Sequence, residues 1–375
     1  MRPMSAAGFV PPPYPYDRLD DLKAVAGAHD GGMVDLSIGT PCDSPPADVV
    51  AALSASNAER GYPASIGTVA FREAASSWVR RRLGAQVDPS AVGACIGTKE
   101  LVAGIPQWLH LRDPSRDTVL YPAISYPTYE MGATLAGCRA VAVPVDDQWR
   151  IDLSAIDPAD AARALCLWVN TPGNPAGGLD DLAEAAAWGR ANSVSVLSDE
   201  CYAEFTWDGP PRTILTEGTE GVLAVHSLSK RSNLAGVRAG FYAGDADLVH
   251  FLQEVRKHAG FMLPGPVQAA AVVAFADDDH VDAQRARYRR RLEWAAELLG
   301  RTYGIDVAMP GGAFYLWVAA PDGDAWAFAA RLAADAGVLV SPGEFYGAAG
   351  AGHVRIAMVQ PEERLSLVEQ RLAAI

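Results

Sequence analysis

Between residues 92 and 242 the chain alternates short apolar runs with longer stretches whose apolar residues return at helical spacing. The runs Val92–Ile96, Thr118–Tyr121, Ala140–Val145, Ala164–Val169, Val194–Ser198, Val222–His226 and Val237–Tyr242 predict seven strands. Runs without polar alternation suit strands buried on both faces. Leu179–Asn192 predicts a helix, with Leu182, Ala186 and the neighbouring alanines on its buried side. Strand and helix in turn imply an α/β fold, a mostly parallel seven-stranded sheet sandwiched by helices. Several runs end directly at polar clusters, and in such sheets a ligand lies beyond the carboxyl ends of the strands.

The pattern changes after residue 262. Leu263–Leu299 is helical in spacing, Ile305–Ala308, Ala313–Val318, Val338–Val340 and His353–Met358 predict strands, and Trp326–Ala336 predicts a helix between them. This reads as a smaller α+β domain that the N-terminal segment joins. The expected division is a large domain over 46–262 and a small one made of 1–45 and 263–375.

A chain of 375 residues, 50% hydrophobic and 20% charged, can bury a large core in two domains. The formal charge of −14 argues against a nucleic acid or an anionic membrane as partner and leaves a small molecule. Arg285, Arg287, Arg289, Arg290 and Arg291 stand among Asp277, Asp278, Asp279, Asp282, Glu293 and Glu297, which marks a solvated, ion-paired helix. Cys42, Cys95, Cys138, Cys166 and Cys201 lack CxxC pairs or histidine spacing, so reduced thiols are expected and no metal site. Prolines 11, 12, 13 and 15 replace the apolar core of a signal peptide, and no window approaches a membrane span, so a cytoplasmic location is expected.

The polar clusters carry the chemistry. In Ser227-Leu-Ser-Lys-Arg-Ser-Asn-Leu-Ala-Gly-Val-Arg238, the Lys230 amine can form a Schiff base with an aldehyde while Ser227, Ser229 and Arg238 grip a phosphate dianion. Asp199, in Ser198-Asp-Glu-Cys-Tyr202, can keep a pyridine nitrogen protonated, and Tyr202 and Asn174 can hydrogen-bond a phenolic oxygen on the same ring. Asn174 lies in Thr171-Pro-Gly-Asn-Pro-Ala-Gly177, a fixed turn. Gly97-Thr-Lys-Glu100 ends a strand and opens a helix, so N–H groups near Thr98 and Lys99 face any anion there. Tyr126 can stack on a planar cofactor. Taken singly, each has a plain alternative: an exposed Lys-Arg pair, an acidic strand cap, a turn, a core tyrosine.

Together, and in this order, they resemble the fold-type I class I/II aminotransferases, over nearly the whole chain. That resemblance implies pyridoxal 5′-phosphate as cofactor, with Lys230, Asp199 and Tyr202 as the catalytic group. Lys230 would carry the Schiff base and shuttle the proton between the substrate α-carbon and C4′. Thr98, Lys99 (chiefly by its backbone), Ser227, Ser229 and Arg238 would surround the phosphate. Asn174 and Tyr202 would contact the phenolic oxygen, and Tyr126 the ring face. By the same resemblance, Arg355 in His353-Val-Arg-Ile-Ala-Met358 clamps the substrate α-carboxylate and Gly39 closes over it. Tyr62 reaches the phosphate of the neighbouring subunit, which implies a homodimer.

The stretches His226–Gly236, Val255-Arg-Lys-His-Ala-Gly260, Pro266-Val-Gln-Ala-Ala270 and Phe345-Tyr-Gly347 are similar to actinobacterial-type N-succinyldiaminopimelate aminotransferases. The implied reaction moves an amino group between glutamate and N-succinyl-2-amino-6-oxopimelate, in lysine and diaminopimelate biosynthesis. Its substrate carries carboxylates far from the reacting carbon, so a distal cation is expected, with Arg231, Lys257 and His258 as candidates. Ala176 replaces the threonine of the commoner NPTG turn. Another aminotransferase or a carbon-sulfur lyase could use the same cofactor residues. A transcription regulator would need a basic module ahead of the large domain, where only a proline-rich segment stands, and Gly347-Ala-Ala-Gly-Ala-Gly352 lacks the order of a dinucleotide fingerprint.

Overall fold

The computed structural model describes residues 9–373. Twelve strands occur among them: β1 (Val34–Asp35), β2 (Val92–Cys95), β3 (Thr118–Pro122), β4 (Arg139–Val143), β5 (Ala164–Asn170), β6 (Ser195–Asp199), β7 (Val222–Ser227), β8 (Gly240–Gly244), β9 (Tyr315–Ala319), β10 (Val338–Leu339), β11 (Ser341–Pro342) and β12 (His353–Ala357). The seven expected strands form one sheet in the order β2-β8-β7-β6-β5-β3-β4. Six run parallel and β8 alone runs against its neighbours. Every residue of β5 and β7 is buried, as the unbroken apolar runs required.

One strand starts later than its apolar run suggests. Val237 closes a short 3-10 turn and Arg238 adopts the left-handed region at φ 60°, so β8 begins only at Gly240. Because β8 is reversed, the residue just ahead of its start lies at the edge where the parallel strands finish. Arg238 thereby joins the carboxyl-end cluster.

Among the described residues four apolar cores occur, and two of them bear on how the chain divides. One lies between the sheet and helices that include Val69–Trp78 and Leu182–Asn192; the other gathers Tyr288, Leu292, Phe314, Leu316, Phe328, Val354 and Ile356. The helical stretch expected over 263–299 is two helices, Gly265–Ala276 and Asp279–Tyr303, parted at Asp277–Asp278. The first buries Val267, Ala270, Ala271, Ala274 and Phe275 in the sheet-side core. The sequence pattern grouped this helix with residues 263–375, and its apolar face packs in the sheet-side core. A Phe275→Ala cavity there would cost about 3–5 kcal/mol.

The second core is roofed by the antiparallel sheet β11-β12-β9. β1, from the N-terminal segment, pairs in parallel with β10. Ile305–Ala308, expected as a strand, forms none. It follows the left-handed Gly304 that ends the long helix, and it has no strand beside it. The arginine-rich helix is ion-paired: Arg289 meets Glu293 at 2.9 Å and Arg291 meets Asp43 at 2.6 Å. All five cysteines are free thiols, and no helix among the described residues is long and apolar enough to cross a membrane.

Candidate active site

A cavity of about 510 Å³ opens at the carboxyl ends of the parallel strands. Its wall includes Gly39, Thr98, Lys99, Tyr126, Asn174, Asp199, Tyr202, Ser227, Ser229, Lys230, Arg238 and Arg355. Of the residues expected to hold the cofactor or the α-carboxylate, Tyr62 alone is not in this wall, and it is 97% exposed.

One end of the cavity is arranged for an anion. Thr98 opens the helix Thr98–Arg112 behind Gly97, with no side chain capping the first N–H groups. Gly97 sits at φ 70°, and a Cβ on it would collide with the Arg238 guanidinium, so only glycine lets the arginine approach the helix start. Ser227 caps the short helix Leu228–Arg231 by accepting the Ser229 N–H at 3.0 Å, which leaves its own hydroxyl proton to donate. Glu100 steadies the cradle from behind, accepting the Ile96 N–H at 2.8 Å and a two-pronged bond from the buried Arg256 at 2.6 and 2.9 Å.

The middle of the cavity is set by β5 and β6. Asp199 ends β6 and is buried; burial pushes its carboxyl above the ordinary range, opposed by hydrogen bonds from Cys201 and Tyr129 and by the charge of His226. Asn170 ends β5, donates to the Asp199 carbonyl at 2.8 Å and accepts the Asn174 N–H at 2.8 Å, fixing the proline-rich turn. Asp180 holds that turn from the other side through the N–H groups of Asn170 and Ile151, and burial pushes its carboxyl up to about 6. Tyr202 shares a 2.7 Å hydroxyl contact with Tyr315.

The Lys230 amine donates to the Gly39 carbonyl. Burial pulls its pKa down to about 8, with Arg355 and Arg238 pushing the same way and Cys201 and Asp199 opposing. With a pKa of about 8 the charged and neutral amines interconvert within reach of neutral pH, the charged form still in excess at pH 7.

At the far end Arg355, 2% exposed, projects from β12. It donates to Asn174 Oδ1 at 2.8 Å, to the Ser37 carbonyl and to the Tyr16 hydroxyl at 3.3 Å, while its Nε finds no partner among the described residues. Its guanidinium lies 4.3 and 4.7 Å from the ring centroids of Tyr315 and Tyr346. Because Arg355 engages the Asn174 carbonyl oxygen, the Asn174 NH₂ remains as a donor. Gly39 is required here for space, since a Cβ would collide with the Tyr315 hydroxyl.

Three expected distal cations lie elsewhere. Arg231 is buried against Glu204 at 2.6 Å and bonds the Ala274 and Asp277 carbonyls at the end of Gly265–Ala276. Lys257 pairs with Glu254 at 3.6 Å on an exposed helix end that His258 shares. Neighbours in sequence project about 100° apart around a helix, so adjacency to Lys230 turns Arg231 away from the cavity. Among the described residues Lys99 is the wall cation with no hydrogen-bond or ion-pair partner for its ammonium, which lies 5.3 Å from the Tyr14 ring centroid.

Sequence reasoning missed Tyr14, Tyr16, Tyr315 and Tyr346 in the wall, and Tyr129 behind Asp199. The Tyr-Pro-Thr-Tyr spacing of 126 and 129, one helical turn, was the available signal for the last. The donor set fits a planar phosphate-bearing aldehyde: an open helix start with a guanidinium and hydroxyls, a lysine that readily loses its charge, and a buried carboxylate between them.

The sequence profile described as "Aminotransferase class I and II" matches residues 31–370. The 4-dedimethylamino-4-oxo-anhydrotetracycline transaminase of Streptomyces rimosus is 43% identical, over 96% of this chain and 99% of its own length. An LL-diaminopimelate aminotransferase of Desulforudis audaxviator is 34% identical, over 96% and 95%. Among solved structures, a probable N-succinyldiaminopimelate aminotransferase of Thermus thermophilus superposes with a TM-score of 0.86 at 30% identity, over 96% of this chain and all of its own.

Proposed function

The chain belongs to the class I and II aminotransferase family, and on that premise we propose that it passes an amino group between glutamate and N-succinyl-2-amino-6-oxopimelate. The observation that carries this reading is the uncommitted Lys99 in a wall that already holds Arg355. Two separated cations suit a substrate with carboxylates at both ends. The Thermus structure and the LL-diaminopimelate relative lend support through the substrates in their names.

Pyridoxal phosphate, on which this family depends, supplies an aldehyde to take the amino group and a pyridine ring to draw electrons from the reacting carbon. Thr98, Ser227, Ser229 and Arg238 would hold its phosphate, joined by the Lys99 backbone. Asp199 would hold the proton on the ring nitrogen, Asn174 and Tyr202 would donate to the phenolic oxygen, and Tyr126 would cover the ring. Arg355 grips the α-carboxylate with its planar fork and so orients the α C–H bond. Lys230 would take the proton from the substrate α-carbon and hold it for return, which its lowered pKa favours. Lys99 meets the distal carboxylate. In this reading Tyr62 serves the neighbouring subunit of a cytoplasmic homodimer.

The test is a donor-acceptor screen. Glutamate should convert the holoenzyme in a half-reaction, and the succinylated oxo acid should turn over faster than its acetylated or free-amine analogues. Lys99→Met should lower kcat/KM for the succinylated substrate about tenfold, while a monocarboxylate acceptor is spared. No turnover of the succinylated acid removes this substrate. The Streptomyces relative supports a second reading, a polycyclic ketone acceptor, which the same screen would reveal by turnover that Lys99→Met leaves unchanged.

A further inference from the structure

A carboxylate enclosed as Asp199 is favours its protonated form. Protonated, it loses the charge that stabilises a proton on a pyridine nitrogen. Its Oδ1 accepts the Cys201 backbone N–H at 3.2 Å, and its Oδ2 accepts the Tyr129 hydroxyl at 2.9 Å. Tyr129 is fully buried, lies in the first turn of the helix Thr128–Leu135 and stacks on Trp168 with ring centroids 5.0 Å apart, so its hydroxyl has one fixed direction. The other titratable groups facing Asp199 are Cys95 from β2, Tyr126 just ahead of the helix, Cys201 beyond β6, His226 from β7 and Lys230 from the helix after it. The Cys201 thiol is a weak donor and meets Thr98 Oγ1 at 3.5 Å.

We propose that Tyr129 is a positioning residue that holds Asp199 ionised and aimed at the ring of the bound cofactor. Burial and the adjacent carboxylate keep the Tyr129 phenol well above its usual pKa, so it stays a donor across the working range. The proposal rests on Asp199 serving the ring nitrogen.

The experiment compares the holoenzyme with Tyr129→Phe, Asp199→Asn and the double variant. Two quantities are read: the pH at which the visible absorbance of the bound cofactor changes, and the glutamate half-reaction. Tyr129→Phe should move the absorbance transition by about one pH unit or more and slow the half-reaction about tenfold to a hundredfold, with KM within about twofold. In the Asp199→Asn background the same change should add nothing further. An unchanged transition and rate in Tyr129→Phe overturns the proposal, and so does an equal loss in the Asp199→Asn background, which marks a merely structural tyrosine. If Asp199→Asn alone leaves both readouts intact, the Asp199 assignment falls first and the two failures are told apart. The substitution removes one oxygen from a packed ring, and thermal unfolding of each variant checks the fold.

Discussion

Lys230 and Arg355 are cations in one cavity, raised from opposite halves of the molecule, and they meet enclosure in contrary ways. Lys230 has no ion pair among the described residues, and its pKa falls to about 8. Arg355 has no carboxylate partner either, yet carbonyl oxygens, a hydroxyl and two tyrosine faces keep it charged. An amine that must move a proton needs access to its neutral form; a guanidinium that must grip a carboxylate needs never to lose its charge. In the proposed roles, withholding acidic partners from both would keep the amine and the fork free for the substrate.

The largest test of this contrast is Lys230→Ala, expected to abolish the visible absorbance of bound cofactor and to reduce transamination at least about ten-thousandfold. A coloured, active variant would end the assignment. Arg355→Lys keeps the charge but loses the planar fork; kcat/KM for glutamate should fall about a hundredfold while the absorbance remains, separating the two ends of the cavity.

Stability of the cofactor-free protein sharpens the comparison further. The unfolded lysine titrates at 10.5 and the folded one at about 8, so between those values the unfolded chain holds the extra proton and folding stability rises with pH. Lys230→Met should therefore be the more stable protein below pH 8, by at most about 3 kcal/mol, with the advantage shrinking towards pH 10.5. A pH-independent difference in denaturant unfolding would contradict this. Smallest of all, Tyr16→Phe removes one 3.3 Å bond to Arg355 and should raise KM for glutamate about threefold with kcat unchanged.

The two ends also differ in how far the sequence displays them. The cofactor end follows strand ends, where an apolar run stops at a polar cluster, and Asp199, Ser227 and Thr98 could be read there directly. Arg238 blurred its strand because its left-handed backbone breaks the apolar run that starts at Val237. The carboxylate end is assembled from Tyr16, Ser37, Tyr315, Tyr346 and Arg355, segments that no local period links. Only the three-dimensional path brings them together, so the arginine was visible from its resemblance and its tyrosine enclosure was not. The direction of Arg231 was hidden for a different reason, since sequence order gives proximity along a helix but not facing.

The chain passes from one core towards the other near Asp43–Ser44 and again at Asp277–Asp278, and between them Tyr202, Phe205 and Trp207 also reach into the second core. Asp43 binds Gln284 at 2.7 Å and Arg291 at 2.6 Å, while Asn233, close after Lys230, reaches both the Ser44 carbonyl and Gln284. These bonds run from beside Lys230 to the long helix of the second core, so the two halves that raise Lys230 and Arg355 are fastened together along one seam.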